Sequence, residues 1–505
     1  MGVLAAVLSV IFLTSCTSAV GLQTTAVNGE PIQGGIVHIG TDLDLNPATF
    51  YTGQITHTGL VYDTLTRYNP DSLEPQPSLA KAWELSPDGR TISLDLRDDV
   101  TFHSRRPLTS EDIKFSLVNY SDPKNSGQLA RVAQAITSYD TSDTHRIKLH
   151  LDEPINNLFD LFDIVPIIDH ETADQLKTGE QYNGTGPFRF IEWLPGSHAK
   201  YEANKSYWGG SPNIDGVEVM IVPDKKTQFA QLRSGQVDIT AAQPRDAEAL
   251  ADHTAFRTVT LEGTSNITYL GVNVAAAGLD DPRVRQAISL AVDRDRILNE
   301  VYRGRGQSAT LPWPQYSPAF DASTQNPSRD VARARELIAE VGSLPEFPIS
   351  VPSNSPTLQT AVEIISSDLA EIGIQTKIVP TEGTTMTSQL INGAYPGLWV
   401  YSHTFSQYNP STLVTAAFPF NSAKNSSNFL DAKYSSDVTQ AWRIPDPNSS
   451  EAIEAYKALN QDLLDHNFVI ELTILNSELI TAGNLQGIQW DKRGLYDLSK
   501  AYFTQ

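Results

Sequence analysis

Phe347-Pro348-Ile349-Ser350-Val351, then apolar residues at Leu358, Ala361, Val362, Ile365, Leu369 and Ile372, then Ile374-Gln375-Thr376-Lys377-Ile378-Val379, is the stretch that sets the fold class. The first five residues read as a short strand. The next apolar set keeps one face of a helix that starts at Thr357 and stops at Gly373, and Ile374 to Val379 reads as the return strand. Two strands joined through a helix must run parallel, because the connection is far too long for a hairpin. The chain is therefore expected to be α/β.

Outward from this unit the same grammar recurs. Val217 to Pro223 reads as a strand, Asp224 caps a helix carrying Phe229 and Leu232, Gly235 ends it, and Val237-Asp238-Ile239 returns as a strand. Between the two units, Asp281 caps and Pro282 opens a helix whose buried stripe is Val284, Ala287, Ile288 and Ala291, with its arginines read as a solvated face. Ser450 to His466 reads as a helix followed by a strand at Phe468 to Ile474. Toward the N-terminus, Gly34 to Gly40 is a short strand followed by the loop Asp42 to Pro47. From Leu79 to Leu117 turns and strands alternate: Ser86-Pro87-Asp88-Gly89 is a turn, Thr91 to Leu96 has period two, and Thr109 caps a helix. The pattern describes two α/β lobes with a β-rich insertion.

Composition narrows the function. The 505 residues carry 37 Lys plus Arg against 59 Asp plus Glu, a net charge of −22, and that balance excludes the basic footprint nucleic acids require. Hydrophobic residues make up 40 %, enough for a packed core. One cysteine forms neither an intramolecular disulfide nor a cysteine-based zinc site. The ten histidines lack metal-ligand spacing, and no cofactor or metal is expected. Enzyme motifs such as a Gly-x-Ser-x-Gly elbow, His-Glu-x-x-His or a phosphate loop are absent from the sequence, so a binding protein is favoured over a secreted hydrolase.

The single cysteine stands at the end of the only strongly apolar run. Val3 to Leu13 is too short to span a bilayer but suits a signal peptide, and Leu13-Thr14-Ser15-Cys16 resembles the lipobox of bacterial lipoproteins. The expected product loses residues 1–15 and carries a lipidated Cys16 on a flexible tether, residues 16–31. Its location would be extracytoplasmic, lipid-anchored to the cell membrane. The first basic residue is Arg67, so translation is expected to start upstream of Met1.

A family resemblance runs through the chain. Gly184-Thr185-Gly186-Pro187-Phe188-Arg189-Phe190, Trp193, Pro195-Gly196, Asn204-Lys205-Ser206-Tyr207-Trp208-Gly209-Gly210, Pro212 and Asp215-Gly216 resemble the signature of family 5 extracellular solute-binding proteins, the peptide/nickel class that serves bacterial ABC importers. Leu79-Ala80-Lys81-Ala82-Trp83-Glu84, Leu96-Arg97-Asp98, Leu108 to Asp112, Leu232 to Ile239 and Gly271-Val272-Asn273 continue it in order. The resemblance implies a periplasmic-binding-protein-like fold of the cluster C type. Lobe 1 would comprise 32–65, 185–265 and 485–505, the inserted domain 66–184, and lobe 2 266–484. Crossing strands are expected near Glu262 to Asn273 and Ala482 to Trp490, with ligand held in the cleft between lobes. Partners would be a peptide or small polar solute and the permease subunits of an ABC transporter, with the protein itself a monomer.

The resemblance also points to ligand residues. Peptide receptors of this family carry a Trp-x-x-Asp element whose carboxylate meets the peptide's α-ammonium. The matching stretch here is His403-Thr404-Phe405-Ser406-Gln407-Tyr408-Asn409-Pro410, with His403 at the tryptophan and Ser406 at the aspartate. A buried ammonium needs an opposing charge, so either Asp42 or Asp44 substitutes, or the ligand lacks a free α-amine there. The expected contacts are His403, Phe405, Ser406, Gln407 and Tyr408, with Asn46, Thr49 and Tyr62 from the early loop and Trp313 from the second lobe. The aromatic-rich loop from Tyr395 to Phe420 reads as a pocket wall. A metal chelate or haem bound whole stays open as the alternative to peptide.

Overall fold

A computed structural model describes residues 30–50, 55–69, 71–125, 127–250, 253–324, 329–404 and 408–505. Its first main-sheet strand is Ile36–Thr41 (β1). A β-rich unit follows, made of Ala80–Leu85 (β2), Thr91–Leu96 (β3), helix Ser110–Ser121 (α1), Ile136–Asp143 (β4), Arg146–Leu151 (β5) and helix Leu158–Ile164 (α2). Its four strands form an antiparallel sheet in the order β2-β3-β5-β4. Along β3 only Ile92, Leu94 and Leu96 are buried, the alternation its sequence shows. Helix α1 starts where Thr109 places it, with the Asp112 carboxylate accepting the Thr109 backbone N–H at 2.9 Å.

The chain then returns to the main sheet through Phe188–Leu194 (β6), His198–Ala203 (β7), Gly216–Ile221 (β8), helix Lys225–Ser234 (α3), Ile239–Ala241 (β9) and the 17-residue Phe256–Val272 (β10). Helix Pro282–Ala291 (α4) leads to Phe347–Pro352 (β11), helix Pro356–Glu371 (α5), Thr376–Thr381 (β12) and Leu398–His403 (β13). Helices Pro410–Ala416 (α6), Ala432–Arg443 (α7) and Ser450–His466 (α8) precede the long Val469–Ala482 (β14). The sheet order is β12-β11-β13-β10-β14-β9-β1-β8-β7-β6. Both strand-helix-strand units are parallel as read: β11 pairs directly with β12, and β8 and β9 flank β1 on either side. No helix among the described residues is long and apolar enough to cross a membrane.

Two differences from the sequence reading have physical causes. The second crossing strand is β14, which ends at Ala482 where the expected segment begins. It pairs with β10 over nearly its whole length and joins the β9 and β13 halves of the sheet. Arg285 is not on a solvated face. It is 5 % exposed and caps carbonyls, its Nε donating to His466 O at 2.7 Å and its Nη1 to Leu279 O and Asp280 O at 2.9 Å each.

Apolar cores pack against both halves of this sheet. Val37, Ile39, Val217, Val219 and Ile239 pack on one half, and Val284, Ile288, Ile349, Val362, Ile365 and Leu369 on the other. The β-rich unit has its own core, around Ile92, Leu94, Leu117, Leu149 and Leu161, but Ala416 of α6 and Trp442 of α7 are buried in it too. Each such aliphatic side chain contributes about 1.5–3 kcal/mol of burial.

Candidate ligand-binding site

The long pair β10 and β14 carries the fold from one half to the other, and a cavity of about 300 Å³ opens beside it. Its walls come from both halves. One side is the end of β9 and the residues after it, from Ala241 to Pro244, and the other is the N-cap Ser355 and first turn of α5 with Thr357 and Leu358. Asn266 and Thr268 of β10, Ser402 of β13 and Ser477 and Glu478 of β14 form the floor, with Arg305 at its edge. The carboxyl ends of strands at a change of sheet direction are where α/β proteins place ligands, and this cavity follows that rule at β9.

The chemistry of the walls is polar. Arg305 Nη1 lies 2.6 Å from Glu478 Oε1, which also accepts the Thr260 hydroxyl at 3.3 Å. Thr268 Oγ1 shares a hydrogen bond of 2.8 Å with the Tyr302 hydroxyl. Thr357 Oγ1 reaches Gln243 Oε1 from across the cavity at 3.5 Å. Asn266 Oδ1 is buried and has no hydrogen-bond partner among the described residues. An unmet acceptor of this kind costs about 1–3 kcal/mol.

Strand alternation sorts the expected contacts. Ser402 pairs with Thr268 in register and faces the cavity, so its neighbour His403 faces the core. There His403 Nε2 lies 3.1 Å from Glu471 Oε1, with Phe420 at 5.1 Å and Tyr269 at 5.5 Å between ring centroids. His403 as a cavity contact is therefore corrected. Trp313 is also corrected: it is fully buried, and its Nε1 donates to Asn460 Oδ1 inside the second half's core. Tyr395, Trp399 and Phe420 belong to that core rather than to a pocket wall.

Of the early-loop residues, Tyr62 is 3 % exposed and meets Phe50 edge-on at 5.3 Å. Asn46 accepts the Ala48 N–H at 3.0 Å and caps the turn Pro47–Thr49, which contains Thr49. Asp42 and Asp44 are already engaged. Asp42 pairs with Lys225 at 2.5 Å, and Asp44 accepts Trp193 Nε1 at 2.8 Å and Gly196 N at 2.7 Å. Tyr408 stacks on Tyr68 at 4.0 Å. Phe405, Ser406, Gln407 and Cys16 lie outside the described residues.

The motif from Gly184 to Gly216 does not line the cavity; it builds a hub. Asp63, with no exposed surface, accepts the hydroxyls of Thr185 and Tyr207 at 2.9 Å each and Trp208 Nε1 at 2.8 Å, with Arg67 at 3.5 Å. Gly184 and Gly186 lie so close to Val61 that a Cβ would sit 2.1 Å and 2.6 Å from its backbone atoms. A possible metal cluster of Asp112, Asp169 and His170 already holds a cation, because the Arg106 guanidinium pairs with both carboxylates.

Sequence reasoning missed Gln243, Asn266, Thr268, Arg305, Ser402 and Glu478. Two signals pointed near them: the strand ending at Ile239 opens onto Gln243, and the element beginning at His403 stands one residue past Ser402.

Comparison with known proteins follows the same lines. The pattern of the bacterial extracellular solute-binding proteins, family 5 middle region, matches residues 74–425. The dipeptide-binding protein of Escherichia coli is 27 % identical over 456 residues, 83 % of this chain and 84 % of that one. Heme-binding protein A of Haemophilus influenzae is 28 % identical over 355 residues, 64 % of this chain and 65 % of that one. The oligopeptide-binding protein AppA of Bacillus subtilis, solved with a nonapeptide, superposes with a TM-score of 0.83 at 21 % identity, covering 94 % of this chain and all of its own.

Proposed function

The chain belongs to family 5 of the bacterial extracellular solute-binding proteins, and on that premise we propose that it captures a peptide or peptide-like solute in the cavity between its halves and hands it to an ABC transporter permease. The observation that carries this reading is the two-sided cavity with its unmet acceptor at Asn266. Polar groups converge there from both halves, so a bound solute favours the arrangement in which the halves meet. The relatives are binding proteins, and turnover is no part of the proposal.

The lobes are proposed as in the sequence reading, 32–65, 185–265 and 485–505 as the first, 66–184 inserted, and 266–484 as the second, except that the end of β14 through Ala482 pairs with β9 and goes with the first. Cys16 is proposed as the lipid anchor that keeps a monomeric receptor on the outer face of the membrane. A second reading, a metal chelate or haem in place of a peptide, is favoured by one feature. Ser406 stands where an acid is expected, and both early-loop aspartates are spent on other partners.

Native mass spectrometry of gently purified protein, followed by thermal melts with the co-purified compound, tests the proposal. A stoichiometric peptide-mass adduct that raises the melting temperature supports it. A chelate or haem adduct moves the case to the second reading, and release of a converted product overturns both.

A further inference from the structure

A seam joins the β-rich unit to α6 and α7. Asn157 Nδ2 donates to Thr412 Oγ1 at 3.2 Å, and its Oδ1 accepts Trp442 Nε1 at 2.7 Å. Asn156 is held from the same side: its Nδ2 donates to Ala441 O at 2.8 Å, and its carbonyl accepts Asn409 Nδ2 at 2.7 Å. The stacked rings of Tyr68 and Tyr408 close one end.

Asp160 of α2 sits in the middle of this seam, 6 % exposed. One oxygen accepts the Tyr68 hydroxyl at 2.6 Å and the other the Thr412 hydroxyl. Neither partner is a cation. Asp163 on the same helix faces it with like charge. Tyr68 faces it from the strand Thr66–Tyr68, whose Arg67 acts on Asp163 instead; Tyr408 and the Asn409 backbone face it from the segment before α6, and Tyr456 from α8. Beyond them stand Asp491 and Arg493, whose guanidinium is taken by Asp163 at 2.9 Å and Asp491 at 2.8 Å; Arg67 is taken by Asp63. Thr412, Asn409 and Tyr408 all come from the opposite side of the seam, so parting the seam puts water in their place.

We propose that this seam is a proton-coupled latch: docking of α6 and α7 onto α2 takes up one proton from solvent at Asp160, so mildly acidic surroundings favour the docked arrangement and alkaline ones loosen it. The latch rests on the reading of the chain as a receptor whose halves part and meet, and adds to it a control on closure. In the docked state burial pushes the Asp160 carboxyl up to about 7, whereas a wetted aspartate titrates near ~3.9. The docked state therefore holds the extra proton between those values. Docking strengthens as pH falls through about 7, levels off below about 4, and is insensitive to pH well above 7. Between pH 8 and pH 6 the docking equilibrium gains about tenfold.

The test uses full-length protein with Cys16→Ser and two exposed reporter sites, Glu84→Cys in β2 and Glu454→Cys in α8, spin-labelled and without added solute. Pulsed dipolar spectroscopy reads the ratio of short to long distances at pH 8 and pH 6. The expected result is an about tenfold rise in that ratio in the parent, and a ratio in Asp160→Asn that is high and equal at both pH values. Tyr68→Phe, which removes a hydrogen bond to the ionised carboxylate, should move the midpoint upward. A pH-independent ratio in the parent, whether docked or open, overturns the latch, as does unchanged pH dependence in Asp160→Asn. The two readings fail separately: protein that binds no solute yet follows pH sinks the receptor, and protein that binds solute with a fixed ratio sinks the latch.

Discussion

Thr268 and Ser402 stand opposite each other on β10 and β13 and both open onto the cavity, while the next residue on each strand, Tyr269 and His403, is buried in the core. A slip of one residue in either strand would exchange these faces, so the register of the sheet fixes which side chains a solute can meet.

Asn266→Ala should leave the solute-free protein as stable as the parent or more so, because it deletes an unmet buried acceptor. Binding of a co-purified solute should weaken by about tenfold, one hydrogen bond's worth. Isothermal titration beside a urea melt checks both halves of this expectation.

Glu478→Gln leaves Arg305 facing the cavity without its partner at 2.6 Å. The pair is partly exposed, so the loss of stability should stay near 1 kcal/mol or below. Preference should turn toward anionic ligands, which a thermal-shift comparison of neutral and acidic tripeptides would register. Equal shifts for both peptides in parent and variant would place the pair outside the site.

Asp63→Asn removes the charge on which Thr185, Tyr207, Trp208 and Arg67 converge. Three donors lose their charged acceptor, while Arg67, 35 % exposed, keeps Asp163 and Asp497 in its surroundings, and unfolding free energy should drop by about 1.5–3 kcal/mol. Denaturant titration should show a lowered midpoint with an unchanged slope.

His57 is held neutral: burial pushes its pKa down to about 4, and its Nδ1 lies 2.6 Å from the Tyr201 hydroxyl. The unfolded chain takes up this proton below about 6.5 and the folded one does not. Stability is therefore full above about 6.5 and lost progressively toward pH 4, by about 3 kcal/mol. His57→Gln should flatten that acid limb relative to the parent in melts from pH 7 to pH 4.

Cys16→Ala should move the protein from the membrane fraction to the soluble fraction with solute affinity unchanged. Persistence in washed membranes would refute the lipid anchor.

Much of the architecture was legible because it rests on local signals. Asp224 and Asp281 cap their helices through side-chain oxygens, and Gly235 ends one with a φ of 75°. The parallel units followed from helical spacing between short apolar runs. The site was much less legible, since Gln243, Asn266, Arg305 and Glu478 meet only through sheet topology, and single polar residues on strands carry no periodic signal. Aromatic density misled for a related reason. Trp313, Trp399 and Phe420 are as well suited to filling a core as to lining a pocket, and only burial separates the two. The Gly184 to Gly216 motif was recognisable but concerns folding rather than the solute. Thr185, Tyr207 and Trp208 satisfy a buried carboxylate whatever the cavity holds.

The ladder between β10 and β14 breaks between Leu261 and Asn266, where Gly263 takes a φ of 80° and its carbonyl accepts the Tyr316 hydroxyl at 2.7 Å. Interstrand backbone bonds resist shear, and here side chains bridge in their place, Ser477 N–H donating to Thr264 Oγ1 at 2.6 Å and Asn476 Nδ2 to Glu262 Oε2 at 3.2 Å. Flexure should concentrate at this point, beside Asn266 on the floor of the cavity. A fulcrum so near the cargo gives leverage: slight rotation there sweeps the distant edges of the two halves through a wide arc. Residues on the floor can then change to suit a new solute without altering the stroke, and the stroke can be tuned at Gly263 without rebuilding the floor.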